Sequence, residues 1–391
     1  MTNYSGPRPV LKQEISEMME LMDFCFRKAR EKGGMQFYNP HCYRIDSLEN
    51  NAVIVVDNKV VSHIGCIPQT AKIGLGEEIN VRGISGVATN PQYRGKGLMK
   101  LLMQYWLDKM KKEKIPISDL GGDRQRYNHF GWENAGREWV FTVNKRSLPL
   151  SSKSEKWKIK KYEGAPDDLK IIMKEHNLEE FGVKRSEELY KMIMSRKGLE
   201  RYIATNGLEN SYIVVNGEEK FRNIDEFGGS AGGIKNLLIY LLEVPEVERV
   251  VIYSPYFHPH NKLFFEISAY WYLGYNRMIK IIDLPLTLKG FLGQMNRKWK
   301  KKIIGSKWLS EKESYSLTLV NRETEQRATI VFDQKTIDIQ EKPCENTLVL
   351  SEFEIVRLLF SMVPLEENET GMKFLDIIFP LDFYFWHNEM V

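Results

Sequence analysis

Apolar residues recur every three to four positions between residues 11 and 31, at Ile15, Met18, Met19, Met22 and Phe26, and this spacing predicts a helix with one buried face. The period then changes. Residues 52–56 and 61–67 are apolar runs on either side of Asp57-Asn58-Lys59, which predicts two strands joined by a turn, and a third strand is expected over 82–89. After a short basic loop with two glycines, Leu98, Leu101, Leu102, Met103, Trp106, Leu107 and Met110 return to helical spacing, and 115–120 reads as the next strand. Pro149, several serines and charges break the pattern over 147–156 and mark a linker.

A second alternation follows, with a helix near 166–196, strand 211–215, helix 234–242 and strands 250–254 and 278–283. The glycine-rich stretch 227–233 stands before a helix, but a loose glycine pattern of this kind is read as a turn rather than an anion site. From about 286 the texture shifts again. A basic run at 296–302 is read as a solvated helix face. Strands are expected over 315–320, 328–333 and 335–340. Residues 348–351 then lead into a helix over 352–360 with Ser351 as its N-cap. The expected fold class is α+β in three units, bounded at 1–147, 156–285 and 286–391.

Composition narrows the function classes. With 42% hydrophobic and 28% charged residues in 391, the chain has the make-up of a folded protein, and about 150 residues per domain gives two to three domains. A net charge of +4 is too small for the field of a dedicated nucleic-acid binder. No apolar run approaches the ~18 residues of a membrane span, and the first residues lack a charged leader with an apolar core, so a cytoplasmic location is expected. The four cysteines show no C-x-x-C spacing, which argues for reduced thiols and against a zinc site; no metal is expected.

The chemistry is concentrated in residues 84–99, where a strand ends, Gln92-Tyr93-Arg94-Gly95-Lys96-Gly97 forms a loop, and a helix begins. Free backbone N–H groups and the positive end of a helix dipole converge there, Gly95 and Gly97 clear side chains from the approach, and Arg94 and Lys96 add positive charge, which together suit a pyrophosphate. The pattern G-x-x-x-x-G-K-[ST] is absent, so this is not an ATPase P-loop. The segment closely resembles the coenzyme A loop of the GNAT acetyltransferase superfamily, whose signature Q/R-x-x-G-x-G/A is matched by Gln92, Gly95 and Gly97. The resemblance implies that Val87, Ala88 and Thr89 bond the pantetheine arm through their backbone. It also implies that Arg94, Gly95, Lys96, Gly97, Leu98 and Met99 hold the pyrophosphate of acetyl-CoA, the acyl donor.

Further on, Tyr127-Asn128-His129-Phe130-Gly131-Trp132 looks like the segment in which a GNAT tyrosine approaches the thioester sulfur, so Tyr127 is the candidate general acid for the thiolate leaving group. His129 is read as solvent-facing. The whole layout is similar to the Eis acetyltransferases, which implies two tandem GNAT-like domains with mixed central sheets, a catalytic one and a degenerate one, followed by a sterol-carrier-protein-like domain. In that family the C-terminal carboxylate serves as general base, which would fall to Val391; family members end in an aromatic residue and this chain in valine, with Glu389 or a water as alternatives. The resemblance further implies a homo-oligomer, such as a hexamer, and amine acceptors of the aminoglycoside, polyamine or lysine type, held by a wall near Asp23, Phe24, Phe26 and Phe37. The expected activity is therefore direct acetyl transfer from acetyl-CoA to an amine. The alternatives are transfer of a longer acyl chain, or non-catalytic binding of acyl-CoA or lipid.

Overall fold

The computed structural model describes residues 4–303, 314–361 and 372–391. Its first sheet has eight strands. Seven lie in the order Tyr4–Pro9, Asn51–Val56, Lys59–Ile73, Glu78–Thr89, Ile117–Leu120, Arg277–Ile281, Glu133–Ala135, and Phe181–Val183 pairs with the far end of Lys59–Ile73. The run 51–56 is buried at every position because the sheet is covered on both faces. Ala52, Ile54 and Val56 meet Leu102, Met103 and Trp106 of the helix Leu98–Lys112, while Val53 and Val55 meet Met18 and Met22 of the helix Ile15–Cys25. The helix expected over 11–31 is broken at Phe26, whose φ of −111° and ψ of 87° start a second helix, Arg27–Glu31.

The second sheet has the order Tyr270–Gly274, Glu138–Asn144, Arg249–Pro255, Phe221–Gly229, Asn210–Gly217, Glu200–Thr205, Lys158–Lys161. The helix Ala231–Glu243 packs on it, and Ser230 caps that helix by accepting from Gly233 N–H, so in place of the expected turn 227–233 runs from the end of a strand straight into the first turn of the helix. The single helix expected over 166–196 is instead Pro166–Asn177, the short strand Phe181–Val183 and Glu187–Met194.

The two sheets exchange strands. The chain leaves Glu133–Ala135 in the first sheet and, after two residues, enters the second as Glu138–Asn144; it leaves Tyr270–Gly274 in the second and, after two residues, returns to the first as Arg277–Ile281. A boundary at 147 therefore does not separate the sheets. Residues 315–350 form a four-stranded sheet in the order Ile337–Gln340, Arg327–Phe332, Tyr315–Asn321, Thr347–Leu350, and the helix Glu352–Phe360 starts at Ser351 with a reciprocal capping box to Glu354. Its core is continuous with the first sheet, since Val81, Ile117 and Ile279 share a cluster with Leu319, Ile330 and Phe360. Among the described residues no helix is long and apolar enough to cross a membrane.

Candidate active site

The strands Glu78–Thr89 and Ile117–Leu120 run parallel and pair only from Val81 opposite Ile117 to Gly83 opposite Asp119, after which they part. A bulge helps to turn the first of them away. On its other edge Ala88 pairs with His63 and Ser85 with Gly65, so Gly86 and Val87 together face Ile64 alone. Gly86 adopts φ +57°, and a β-carbon there would run into the Tyr43 hydroxyl, so the bulge requires glycine. His63 Nδ1 donates to Gly86 O at 2.7 Å, and Tyr43 Oη and Ser85 Oγ share a hydrogen bond of 2.9 Å.

Beyond the bulge the strand runs into the glycine loop. Gly95 and Gly97 have φ of +75° and +77°, and no atom lies within 4 Å of a β-carbon at either, so the loop opens onto free space. Gly97 is the N-cap of the helix Leu98–Lys112 and no side chain caps that end, which leaves the first-turn N–H groups available. A cavity of about 520 Å³ lies here, lined by Val87, Ala88, Thr89, Arg94, Gly95, Gly97, Leu98 and Met99 among the ten residues expected to face the donor. Gln92 and Lys96 stand outside it. Gln92 N–H donates to Asn90 Oδ1 at 3.1 Å within the turn, and Lys96 Nζ sits 4.6 Å over the Tyr93 ring. Cys25, Phe26, Lys100, Arg126 and Phe130 also line the cavity, and the loop pattern gave no sign of them. Open glycines, uncapped N–H groups and nearby cations fit a pyrophosphate at this end.

Tyr127 ends the short helix Arg124–Tyr127, which Asp123 caps by accepting from Gln125 N–H at 2.9 Å. The tyrosine ring lies on Gly122, with Cε2 2.6 Å from where a β-carbon would be. Burial raises its phenol above the ordinary value, partly offset by Arg126, so the hydroxyl stays protonated at neutral pH. Gly122 follows Asp119 by three residues, at most about 11 Å of chain. Asp119 is buried in an ion pair with Arg277 of the exchanged strand, at 2.9 Å to Nε and 2.6 Å to Nη2. On the opposite strand a methyl of Val391 lies directly against the bare Cα of Gly83. Val391 thus lies against Gly83, where the pairing of the two strands ends, while Tyr127 lies on Gly122, three residues beyond Asp119. A second cavity, of about 570 Å³, is lined by Gln69, Thr70, His41, Arg44, Lys184 and Val391 among others.

The segment that carries Val391 is held by residues of both sheets and by the arginines Arg185 and Arg196 that flank the helix Glu187–Met194. Glu389 accepts from Val183 N–H at 2.9 Å, Trp386 N–H at 2.9 Å and Arg185 at 3.0 and 2.7 Å, and Arg185 also pairs with Glu226 at 3.1 and 2.5 Å. Asn388 Nδ2 reaches Glu226 at 3.2 Å, and Arg196 donates to Asn388 O at 2.7 Å and to Tyr38 O at 2.9 Å. The Glu389 carboxylate is thus committed to holding the tail and is not free to act as a base. Tyr384, Phe385 and Trp386 are fully buried, as the aromatic end of the sequence suggested. Of the residues expected near an acceptor, Asp23 accepts from Met35 N–H at 2.6 Å, Phe24 is exposed, Phe26 lines the donor-side cavity and Phe37 lies under Lys197 Nζ at 3.8 Å. No group of three or more His, Cys, Asp and Glu among the described residues is arranged to hold a metal.

Residues 7–135 match the family model described as the acetyltransferase (GNAT) domain. A comparison with curated proteins returns no match. Among solved structures, a probable N-acyltransferase of Enterococcus faecalis is 17% identical with a TM-score of 0.66, covering 91% of this chain and 89% of its own. A GCN5-related N-acetyltransferase of Anabaena variabilis is 17% identical with a TM-score of 0.65 over 92% and 90%. Eis1 of Mycobacterium abscessus is 10% identical with a TM-score of 0.58 over 92% and 89%. At these identities the likeness is one of fold. Residues 7–135 thus form a GNAT acetyltransferase domain, within a chain whose overall fold is similar to that of Eis1.

Proposed function

We propose that the chain is an N-acetyltransferase that moves an acetyl group from acetyl-CoA directly to an amine of the aminoglycoside, polyamine or lysine type. The observation that carries this reading is the split beyond Gly83 and Asp119, with the open glycine loop and uncapped helix following one strand and Val391 against Gly83 at the point of parting. In this reading the backbone of Val87, Ala88 and Thr89 lines up the pantetheine arm, and the loop with Arg94 and Arg126 neutralises the phosphates. The Val391 carboxylate takes a proton from the amine. As the nitrogen–carbon bond forms and the carbon–sulfur bond breaks, Tyr127 gives its proton to the departing sulfur. The second sheet and the terminal unit, sterol-carrier-like by resemblance alone, serve to hold the tail and need no lipid.

Thiol release from acetyl-CoA over a panel of aminoglycosides, polyamines and lysine peptides tests the reading. Release with one amine class is expected, with kcat reduced about 100-fold or more in Tyr127→Phe, in line with the contribution of a positioned acid, and in a chain lacking Val391. Binding of acetyl-CoA without release for any amine would favour a binding protein. Faster turnover with longer acyl chains would favour the wider acyltransferase reading.

A further inference from the structure

Gly83 and Asp119, the last paired residues before the strands part, sit beside two oxygens that no described donor reaches. Asp119 is fully buried, and both of its Arg277 contacts fall on Oδ2, so Oδ1 has no hydrogen-bond partner. Gln69, on the neighbouring strand, sends Nε2 towards Glu389 O at 3.4 Å and leaves Oε1 buried and equally unpartnered. The two oxygens converge. From the point that a β-carbon on Gly83 would occupy, Gln69 Oε1 is 2.8 Å away and Asp119 Oδ1 3.1 Å away. What reaches into that point is a methyl of Val391, and a methyl has no hydrogen to donate to an oxygen. Buried acceptors are nearly always satisfied in folded proteins, so two orphans aimed at one spot beside the reacting centre call for a donor from outside the chain.

We propose that Gln69 Oε1 and Asp119 Oδ1 are the seat of the acceptor amine and select primary amines, each oxygen taking one N–H. This rests on the acetyltransferase reading above and gives its acceptor site specific residues. A neutral primary amine has two N–H bonds and one lone pair. With both N–H bonds held by the seat, the lone pair is left to attack the acetyl carbon; as the nitrogen–carbon bond forms, the N–H on the neutral Gln69 amide turns from it and gives its proton to the Val391 carboxylate, and Tyr127 gives its proton to the sulfur as the carbon–sulfur bond breaks. A secondary amine or an alcohol has a single N–H or O–H and leaves one oxygen unsatisfied, which is the basis of strong discrimination in buried polar sites. Absence of a side chain at Gly83 keeps the seat open, Arg277 holds the Asp119 carboxylate in place, and the cavity lined by Gln69, Thr70 and Val391 leads to it. The Val391 methyl gives way when the amine enters.

The test compares Nα-acetyl-lysine amide with its Nε-methyl derivative in the wild-type chain, Gln69→Met, Asp119→Asn and Val391→Ala, with acetyl-CoA affinity measured separately by calorimetry. The wild type should prefer the primary amine at least tenfold in kcat/KM. Gln69→Met and Asp119→Asn should raise the amine KM about 10–100-fold, the range for losing a hydrogen bond to a buried acceptor, while acetyl-CoA affinity stays within about twofold. Val391→Ala keeps the terminal carboxylate and should lower the amine KM. Gln69→Met does not touch the Asp119–Arg277 pair, so it reports on the seat even where Asp119→Asn fails to fold. An unchanged amine KM in Gln69→Met, or equal turnover of the two amines, overturns the proposal. If the wild type releases no thiol with any amine, the acetyltransferase reading fails by itself. The seat is then judged by calorimetric binding of the primary amine, which Gln69→Met must weaken tenfold.

Discussion

Two buried imidazoles make stability depend on acid at the level of single residues. Burial lowers His63 to about 4 and His41 to about 3. In the unfolded chain both take up a proton near 6.5, so between that pH and their folded values the unfolded state binds more protons. Stability is therefore complete above about pH 6.5 and falls as the pH drops towards 4, by roughly 3 kcal/mol for His63 once its full shift is spent. A urea midpoint that falls over this window, with a shallower fall in His63→Gln, is the expected outcome; the same slope in both chains would clear the imidazole of responsibility. At this scale the sequence spoke clearly wherever a residue belongs to a local pattern. Gly95, Gly97 and Tyr127 lie in short motifs, and Ser351 precedes its helix directly. Asp119, Gln69 and Arg185 have no such company, because the groups they meet are 158, 320 and 204 residues away in the chain.

Elements followed the same rule. The helix Leu98–Lys112 was legible from its spacing alone, and 52–56 from its unbroken apolar run. The break within 166–196 was not, because Phe181–Val183 is a strand only through its pairing with 71–73, and Gly182 takes φ +119° where the tail crowds it, with Trp386 Cδ1 2.9 Å from a would-be β-carbon. Strands Glu200–Thr205 and Tyr270–Gly274 escaped notice too, the latter because three of its five residues are exposed aromatics with no polar alternation. The glycine loop offers the sharpest test of an element. Gly97→Val forces a β-branched residue into φ +77° at the helix entrance while meeting no neighbouring atom, so the fold should survive and the loop should not. The expected result is acetyl-CoA affinity weakened at least tenfold by calorimetry with the thermal midpoint within a few degrees of wild type; unaltered affinity would remove the loop from the donor site.

For the whole molecule, the reciprocal strands decide what can be cut. A fragment of residues 1–147 lacks Arg277–Ile281, the strand between Ile117–Leu120 and Glu133–Ala135, and it exposes Phe141 and Val143, which are buried in the second sheet. Such a fragment is expected to aggregate or to give the poorly dispersed amide spectrum of an unfolded chain, although it contains the entire glycine loop and Tyr127. A well-dispersed spectrum from it would show that the exchange is dispensable.

The exchange also sets a timetable. A ribosome adding about 5–20 residues per second finishes Ile117–Leu120 roughly 10–30 s before it reaches Arg277–Ile281. Through that interval the nascent first sheet ends in an unpaired edge, with the Asp119 carboxylate still waiting for its arginine and a row of free N–H and C=O groups open to any passing strand. Crowding, translation speed and chaperone supply therefore bear on the yield of this protein through one short strand, long before any substrate is met.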